Sequence, residues 1–550
     1  MEHKWWHDKV AYQIYPKSFC DSNGDGVGDL KGIISKLDYL KDLGVDIIWL
    51  SPVYKSPFVD QGYDVADYYA IDPLFGNMED FDTLLAEAKK RDMYLLMDLV
   101  VNHCSDQHEW FQKALKDPFG EYGDYFYFRK GKDGKAPSNY RGYFGGSTWE
   151  PVPGYEDLYY LHMFAKEQPD LNWYNPAMKK EIFDMVNWWL DKGLAGFRID
   201  AIINIAKVLD FPDYPADGPD GLSFCTNMVE HAEGVGDLLQ ELKRNTFARH
   251  DAFTIGEVFN MKPSELEQFI GDEGHFSCTF DFGPQIMFFG GHGWYDAPEY
   301  DFKTWRSVIF KGQEAAKGIG FQSNIIENHD EPRGASRYLP KHAQNDAGVK
   351  MLGTVSVLLR GLPFLFQGQE IGMRNCPVTS VDQYDDINTK DQYQVALDAG
   401  CTEQEALNAC MRFSRDNGRT PMQWSAAPNA GFTTGKPWLM VNPNYTEINV
   451  ENQEKQPDSV LNYYKQLLKL RKSHSVFTYG DITHMFADSD SVMAYVRSDA
   501  EKAVLVAANF GTEPVTLPVT VKAVLLENLP AEISAEAITL APCGVVVTEV

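Results

Sequence analysis

The sequence predicts an α/β protein: a (β/α)8 barrel with a small domain inserted after its third strand and a C-terminal all-β sandwich. Three observations carry that prediction. Short apolar runs alternate eight times with helix-patterned stretches. One long interruption, rich in aromatic residues, Gly and Pro, follows the third run. After His474 the helical pattern stops and only short strand-like runs remain.

Val10–Tyr15 reads as the first strand. A helix over Leu30–Leu43 puts Ile33, Leu37 and Leu40 on one face, and Gly44 stops it. Ile47–Leu50 is the second strand. Asn77 is placed to cap a helix that runs to Asp92, and Tyr94–Val101 is the third strand. Strands and helices in this order form right-handed crossovers and a parallel sheet. Over Lys180–Lys192, residues Ile182, Phe183, Val186, Trp189 and Leu190 recur at helical spacing; Gly193 ends that helix, and Gly196–Asp200 is the fourth strand. Phe253–Val258, Cys278–Phe282, Asn324–Asp330 and Pro363–Gln367 supply the fifth to eighth. The barrel therefore spans 1–102 and 174–474, with a loop-rich insertion at about 368–457 and a closing amphipathic helix at Val460–Lys472. The inserted domain is 103–173. The C-terminal domain is 475–550, with strands in Ser491–Arg497, Ala503–Ala508, Ala523–Leu526 and Gly544–Thr548.

The 550 residues are 44% hydrophobic and 23% charged, as in an ordinary globular protein. A formal net charge of −29 speaks against a nucleic-acid partner, because phosphate is met by Lys and Arg. It disfavours a polyanionic substrate and suits a neutral one; it also simply keeps a protein soluble. The N-terminus has no basic start followed by an apolar core, so no secretion signal is expected. No apolar run reaches the roughly 18 residues of a membrane span. The eight cysteines are scattered without a Cys-x-x-Cys pair and read as reduced thiols of a cytoplasmic protein. A monomer without an organic cofactor is expected.

Residues 21–29 form an Asp-Ser-Asn-Gly-Asp-Gly-Val-Gly-Asp loop with oxygens at positions 1, 3, 5 and 9 and Gly26 at the sharp turn. Gly32 stands where an EF-hand needs its bidentate Glu, so this is not an EF-hand. One structural Ca2+ or Mg2+ held by Asp21, Asn23, Asp25, the Val27 carbonyl and Asp29 is one reading. A plain Asx/Gly-rich turn is the other.

The chemistry is written at the strand ends. The fourth strand closes on Arg198-Ile199-Asp200, and an Arg-x-Asp alone is equally compatible with a structural salt bridge. The third strand, however, carries Asp98 and leads to Asn102-His103, the fifth ends at Glu257, and the seventh ends at His329-Asp330. In a parallel barrel all C-terminal ends share one mouth. Two carboxylates across a pocket suit glycoside hydrolysis, one protonating the leaving oxygen while the other attacks the anomeric carbon or activates water.

Four motifs in order, Asp98-Leu-Val-Val-Asn-His103, Gly196-Phe-Arg-Ile-Asp200, Gly256-Glu257 and Asn328-His-Asp330, resemble those of the α-amylase superfamily, glycoside hydrolase family 13. Asp60-Gln-Gly-Tyr-Asp64, Gln168-Pro-Asp-Leu-Asn172, Gly368-Gln-Glu-Ile-Gly-Met373 and Arg415–Trp424 are similar to its oligo-1,6-glucosidase and α-glucosidase branch. The resemblance implies that Asp200 is the nucleophile, kept ionised by Arg198, and that Glu257 is the general acid/base. Asp330 would be the third carboxylate, gripping hydroxyls as the oxocarbenium ion develops. His103 and His329 would donate to the same sugar. Asp60 and Arg415 would close the far end of the pocket, Tyr63 would stack on the ring, and Gln168, Phe144 and Phe164 would help wall it.

The implied activity is a retaining, exo-acting α-glucosidase on isomalto- or malto-oligosaccharides. Ala201, after the nucleophile, stands where α-1,6-acting members tend to have Val; Gln61 and Glu331 also depart from the usual Asn and Gln. Trehalose-6-phosphate hydrolase is a rival, but no Lys/Arg cluster for a phosphate accompanies the motifs. A sucrose isomerase or glucosyltransferase is another, but the basic run expected after the seventh strand is absent. A non-catalytic binding protein on this fold would lack the acids and carry a membrane span.

Overall fold

The computed structural model describes residues 3–259, 262–288 and 290–550. Eight parallel strands close into a barrel of the TIM type: β1 (Ala11–Ile14), β2 (Ile47–Leu50), β3 (Tyr94–Val100), β4 (Gly196–Asp200), β5 (Phe253–Gly256), β6 (Cys278–Phe280), β7 (Phe321–Asn324) and β8 (Leu362–Phe366). Each strand pairs with its sequence neighbours, and β1 with β8 closes the ring. Alternate residues split between two cores, as strand geometry demands. Ala11, Trp49, Leu96, Ile255, Phe280 and Phe364 fill the barrel's interior. Tyr12, Ile48, Leu50, Leu95 and Met97 face outward under the helices.

Two strands that carry chemistry are held closely together. Gly196 opens β4 where a Cβ would meet the Phe253 carbonyl oxygen at 1.7 Å, so only glycine lets β4 approach β5 there. The register then sets Arg198 beside Asp98 on β3 and beside Ile255 on β5. That register, more than any local motif, brings Arg198 and Asp98 together.

The elements differ from the sequence expectation in three places. β7 ends at Asn324, so Asn328, His329 and Asp330 lie on the loop beyond the strand rather than on it. The expected strand, Asn324–Asp330, shares only Asn324 with β7: the apolar pair Ile325–Ile326 lies in the loop, and the strand itself carries Gln322, Ser323 and Asn324. β5 ends at Gly256, which puts Glu257 one residue past the strand. The first helix breaks at Lys36 (φ −109°, ψ 4°) into Leu30–Ser35 and Leu37–Leu43. The helix at Met78–Lys90 has the expected Asn77 cap, in a capping box with Asp80.

The segment after β3 holds a three-stranded antiparallel sheet of Phe128–Lys130, Trp149–Pro151 and Leu158–Leu161. It does not pack alone. Ser223–Phe224, from the long β4–β5 connection, pairs with Tyr140–Arg141, and Phe211, Cys225 and Met228 share a core with Tyr127, Trp149 and Met163. The sequence reading gave this connection to the barrel alone, because its contribution to the insert is non-local.

The C-terminal region has a five-stranded and a three-stranded sheet. Val492, Ala494, Leu505, Ala507 and Val546 of the larger pack on Leu517, Ile538 and Leu540 of the smaller. The closing helix at Val460–Ser473 joins it to the barrel: buried Arg471 donates to the carbonyls of Val357, Gly361 and Phe477, and buried Arg497 to those of Leu358, Phe477 and Gly480.

Candidate active site

At the C-terminal mouth one guanidinium organises three carboxylates. Arg198 is 1% exposed. Its Nη1 donates to Asp98 Oδ1 at 2.8 Å and to Asp200 Oδ1 at 2.7 Å, and its Nη2 lies 2.7 Å from Glu257 Oε1. Glu257 Oε2 accepts from the main-chain N–H of Ala201 at 2.7 Å. Asp98 Oδ2 accepts from Trp49 Nε1 and from the Tyr63 hydroxyl, both at 3.0 Å.

Burial outweighs the shared cation. It pushes the Asp200 carboxyl up to about 7 against the pull of Arg198, with Asp98 adding to the rise. Arg198 does pull Asp200 toward the ionised form, as the resemblance implies, but this one cation is divided among three acids. Burial likewise pushes Glu257 up to about 7, with Asp200 and Asp330 reinforcing it. A carboxyl that holds its proton near neutrality is suited to general-acid work.

Asp330 goes the other way. Burial would raise it, but His329 and the cations Arg415 and Arg419 hold it well below the usual carboxylate range. His329 Nε2 lies 3.0 Å from Asp330 Oδ2, while Arg415 Nη1 (3.2 Å) and Arg419 Nη2 (3.1 Å) donate to Oδ1. Gln13 Nε2 sits 2.7 Å from His329 Nδ1, and the Tyr63 hydroxyl 2.6 Å from Nε2. Of Asp200, Glu257 and Asp330, burial thus pushes the first two up toward neutral pH, while the cations hold the third ionised.

A second charge cluster forms around Arg415. Arg415 Nη2 donates to Asp60 Oδ1 at 3.2 Å and to Asp386 Oδ1 at 2.6 Å, with the Phe144 ring 5.2 Å from the guanidinium carbon. Gln168 Nε2 donates to Asp60 Oδ2 at 3.2 Å and lies 3.1 Å from His103 Nε2. Phe164 packs on His103 at 4.9 Å and on Phe144 at 5.8 Å. Tyr63 is stacked on His329 (5.2 Å, 8°), so one of its faces is taken by protein. The structure therefore gathers Asp60, Tyr63, His103, Phe144, Phe164, Gln168, Arg198, Asp200, Glu257, His329, Asp330 and Arg415 about one mouth.

Four members of the site escaped the sequence reading. Asp98 was read as a strand-end acid without a role; its inward parity on β3 was the available signal. Arg419 follows Arg415 by four residues, which places both on one helical face. Asp386 reads only as a helix cap, and it does accept from Asn388 and Thr389. Gln13, on β1, has no local signal.

The Asp21–Asp29 loop is a set of Asx turns. Asp21 accepts from the amides of Asn23, Gly24 and Gly26, Asn23 from Asp25, and Asp25 from Val27. Asp29 is turned away, accepting from Ser22 and from Gly32 as the N-cap of the next helix. Among the described residues no three His, Cys, Asp or Glu side chains gather as a metal site. The donor set is nonetheless all oxygen, the chemistry of a hard cation.

The catalytic-domain model of the α-amylase family matches residues 13–480. The oligo-1,6-glucosidase of Parageobacillus thermoglucosidasius is 42% identical over 517 residues, 93% of this chain and 91% of that protein. The trehalose-6-phosphate hydrolase of Bacillus subtilis is 40% identical over 520 residues, 94% of this chain and 91% of that one. The crystal structure of the isomaltulose synthase of Protaminobacter rubrum superposes with a TM-score of 0.95 at 37% identity, covering 100% of both chains. The match spans the whole barrel, every carboxylate of the mouth and the arginines that hold them, and on that ground the chain belongs to the α-amylase family, glycoside hydrolase family 13.

Proposed function

We propose that the protein is a retaining, exo-acting α-glucosidase that releases terminal α-linked glucose from isomalto- and malto-oligosaccharides. The observation that carries this reading is the single Arg198 guanidinium bound to both Asp200 and Glu257, facing a pocket end closed by Asp60 and Arg415. In the first step the Asp200 carboxylate attacks the anomeric carbon while Glu257 gives its proton to the glycosidic oxygen. The C–O bond breaks, the shortened sugar leaves, and a β-glucosyl ester of Asp200 remains. In the second step Glu257, now a carboxylate, takes a proton from water as that water's oxygen attacks the same carbon. The ester breaks and α-glucose departs, with Glu257 protonated again. Ionised Asp330 grips hydroxyls most strongly when the ring carries positive charge.

Two relations favour hydrolysis of neutral sugars over the rival activities. The arginines that follow Asp330 are spent inside the protein. Arg333 donates to the carbonyls of Gln367, Asn417 and Gly418, and Arg337 to that of Gln285 while pairing with Glu331. Neither is left to steer a second sugar. At the mouth Arg198, Arg415 and Arg419 are each paired with carboxylates, which leaves none of these three to hold a sugar phosphate.

The test is a panel of isomaltose, maltose, sucrose, trehalose and trehalose 6-phosphate, with the product anomer followed by NMR. Release of α-glucose from isomaltose or maltose is expected. Early β-glucose overturns retention, and preference for the phosphate or for sucrose isomerisation overturns the substrate class.

The oxygen loop would hold one structural Ca2+ or Mg2+ through Asp21, Asn23, Asp25 and the Val27 carbonyl, tying residues 21–29 to the segment that carries Thr433, whose hydroxyl donates to Asp21. Elemental analysis after chelation and dialysis, with melting followed in parallel, tests it; no metal and no shift would remove the ion. Eight unpaired cysteines suit a reducing, cytoplasmic compartment. Among the described residues no helix is long and apolar enough to cross a membrane.

A further inference from the structure

Lys207 lies in the β4–β5 connection, seven residues after the nucleophile, with a fully buried side chain. Its ammonium sits 3.0 Å from Asp170 Oδ2, whose side chain is equally buried, and donates to Asn102 Oδ1 at 3.0 Å and to the Asn204 carbonyl. It thus joins three segments: the loop after β3, the Gln168–Asp170 loop and the connection after β4. Asp170 is bridged in turn to His103 through the backbone, and Leu171 N–H donates to the Asn102 carbonyl at 2.8 Å.

An ammonium only donates. Asn102 must therefore turn its side-chain oxygen to Lys207, which leaves its NH2 facing His103 Nδ1 at 3.2 Å. That nitrogen must then offer a lone pair. Burial keeps the imidazole neutral, so its one proton sits on Nε2, 3.0 Å from the Tyr63 carbonyl oxygen, which accepts it. The other side of the ring would allow the opposite state. The Gln168 NH2 group stands 3.1 Å from Nε2, and its own oxygen is held by the Ala165 N–H, so Gln168 could donate to an unprotonated Nε2. Two groups therefore favour Nε2–H: the Tyr63 carbonyl, which only accepts, and the Asn102 amide, which Lys207 fixes.

We propose that Lys207 is a positioning residue that, through Asn102, secures the Nε2–H tautomer of His103 that the Tyr63 carbonyl also favours, with that N–H turned toward the wall of Asp60, Tyr63 and Gln168. The consequence for turnover rests on the α-glucosidase reading above, in which His103 donates a hydrogen bond to the bound glucose. The tautomer itself does not rest on it.

Protein labelled with 15N at histidine tests this by long-range 1H–15N NMR, with the His103 signals identified by their loss in His103→Gln. The wild type should show the Nε2–H form at neutral pH. Asn102→Asp keeps the shape but gives Nδ1 a pure acceptor, and should invert the tautomer. Lys207→Met/Asp170→Asn removes the ion pair without leaving a buried charge unpaired, and should release Asn102 and let a fraction of His103 shift to Nδ1–H, with the Tyr63 carbonyl still favouring Nε2–H. Asn102→Asp should raise KM for the preferred disaccharide about 10-fold, the loss of one hydrogen bond, with a smaller change in kcat, and the double variant should raise it less. An Nδ1–H form in the wild type, or an unchanged tautomer in Asn102→Asp, overturns the proposal. Inverted tautomers in a protein that cleaves no glucoside would instead leave it standing and overturn the functional reading.

Discussion

The main-chain N–H of Ala201 donates to Glu257 Oε2 at 2.7 Å from a left-handed backbone conformation (φ 41°, ψ 35°). For a residue with a Cβ that conformation costs about 1–2 kcal/mol, and here it aims the peptide after the nucleophile at the acid/base. The same residue is buried and follows Asp200 directly, and on the α-glucosidase reading its methyl group would border the second sugar. Ala201→Val adds bulk at that point and strains the turn further. The ratio of kcat/KM for isomaltose over maltose should rise up to about 10-fold, since one or two carbons in a pocket are worth about 1–3 kcal/mol. Thermal unfolding should begin at lower temperature. Parallel kinetics on the two disaccharides measure the effect, and an unchanged ratio would move the choice of linkage away from Ala201.

The paired carboxyls predict the pH profile. Asp200 must be ionised to attack and Glu257 protonated to donate, and burial pushes each up to about 7. Activity should therefore fall on the acid side as Asp200 takes up a proton, and on the alkaline side as Glu257 loses one. The result is a narrow bell in kcat/KM centred near neutrality, whose two limbs belong to the pair rather than to either residue. Arg198→Lys keeps a charge but not the fork that reaches three carboxylates. It should cut kcat/KM by at least about 100-fold and move the acid limb upward. A flat profile from pH 5 to 9 in the wild type would contradict the coupling.

Much of this was legible in the sequence because it is local. Apolar periods mark the strands and helices, and the acids stand at or just beyond strand ends, where a parallel barrel gathers them. What could not be read is what depends on register and long-range packing. Arg198 finds Asp98 because Cα partners across β3 and β4 align them. Asp386 reaches Arg415 from a helix cap in the loop-rich insertion. The tilt of Asp200 toward neutrality is a property of burial, which an Arg-x-Asp spacing does not contain. The expected seventh strand falls too late, at Asn324–Asp330, because Ile325 and Ile326 give that loop an apolar start while the true strand carries the polar side chains of Gln322, Ser323 and Asn324.

Poising Asp200 for attack also has a stability cost. Its folded pKa is raised above that of an unfolded aspartate, so between about pH 4 and pH 7 the folded state holds the proton more tightly. Stability falls as pH rises through that window. Asp200→Asn removes the burden of a buried carboxylate while Arg198 keeps Asp98 and Glu257 as partners. The variant should lack turnover, yet unfold at a higher temperature than the wild type at pH 8, by the equivalent of about 1–2 kcal/mol. The gain should vanish near pH 4. Melting curves across that range decide it. Appreciable hydrolysis by the variant would overturn Asp200 as the nucleophile.

Arg415 is where binding and stability separate least, because it meets Asp60, Asp330 and Asp386 at once. Arg415→Ala should raise KM about 100-fold by opening the pocket end, and should also destabilise the fold by about 3 kcal/mol, since buried Asp386 keeps its cap hydrogen bonds from Asn388 and Thr389 but has Arg419, at 3.8 Å, as its remaining cation. Asp60→Asn isolates the binding part. It keeps the shape and an acceptor for Arg415, removes one charge, and leaves Asp386 paired. Its melting temperature should stay near that of the wild type while KM rises about 10-fold, the difference between a charged and a neutral hydrogen bond to the terminal glucose. Product analysis on a maltooligosaccharide ladder completes the test. The wild type should shorten chains one glucose at a time, and Asp60→Asn should still do so, more slowly. Internal cleavage by the wild type would mean that the Asp60–Arg415 pair does not close the pocket.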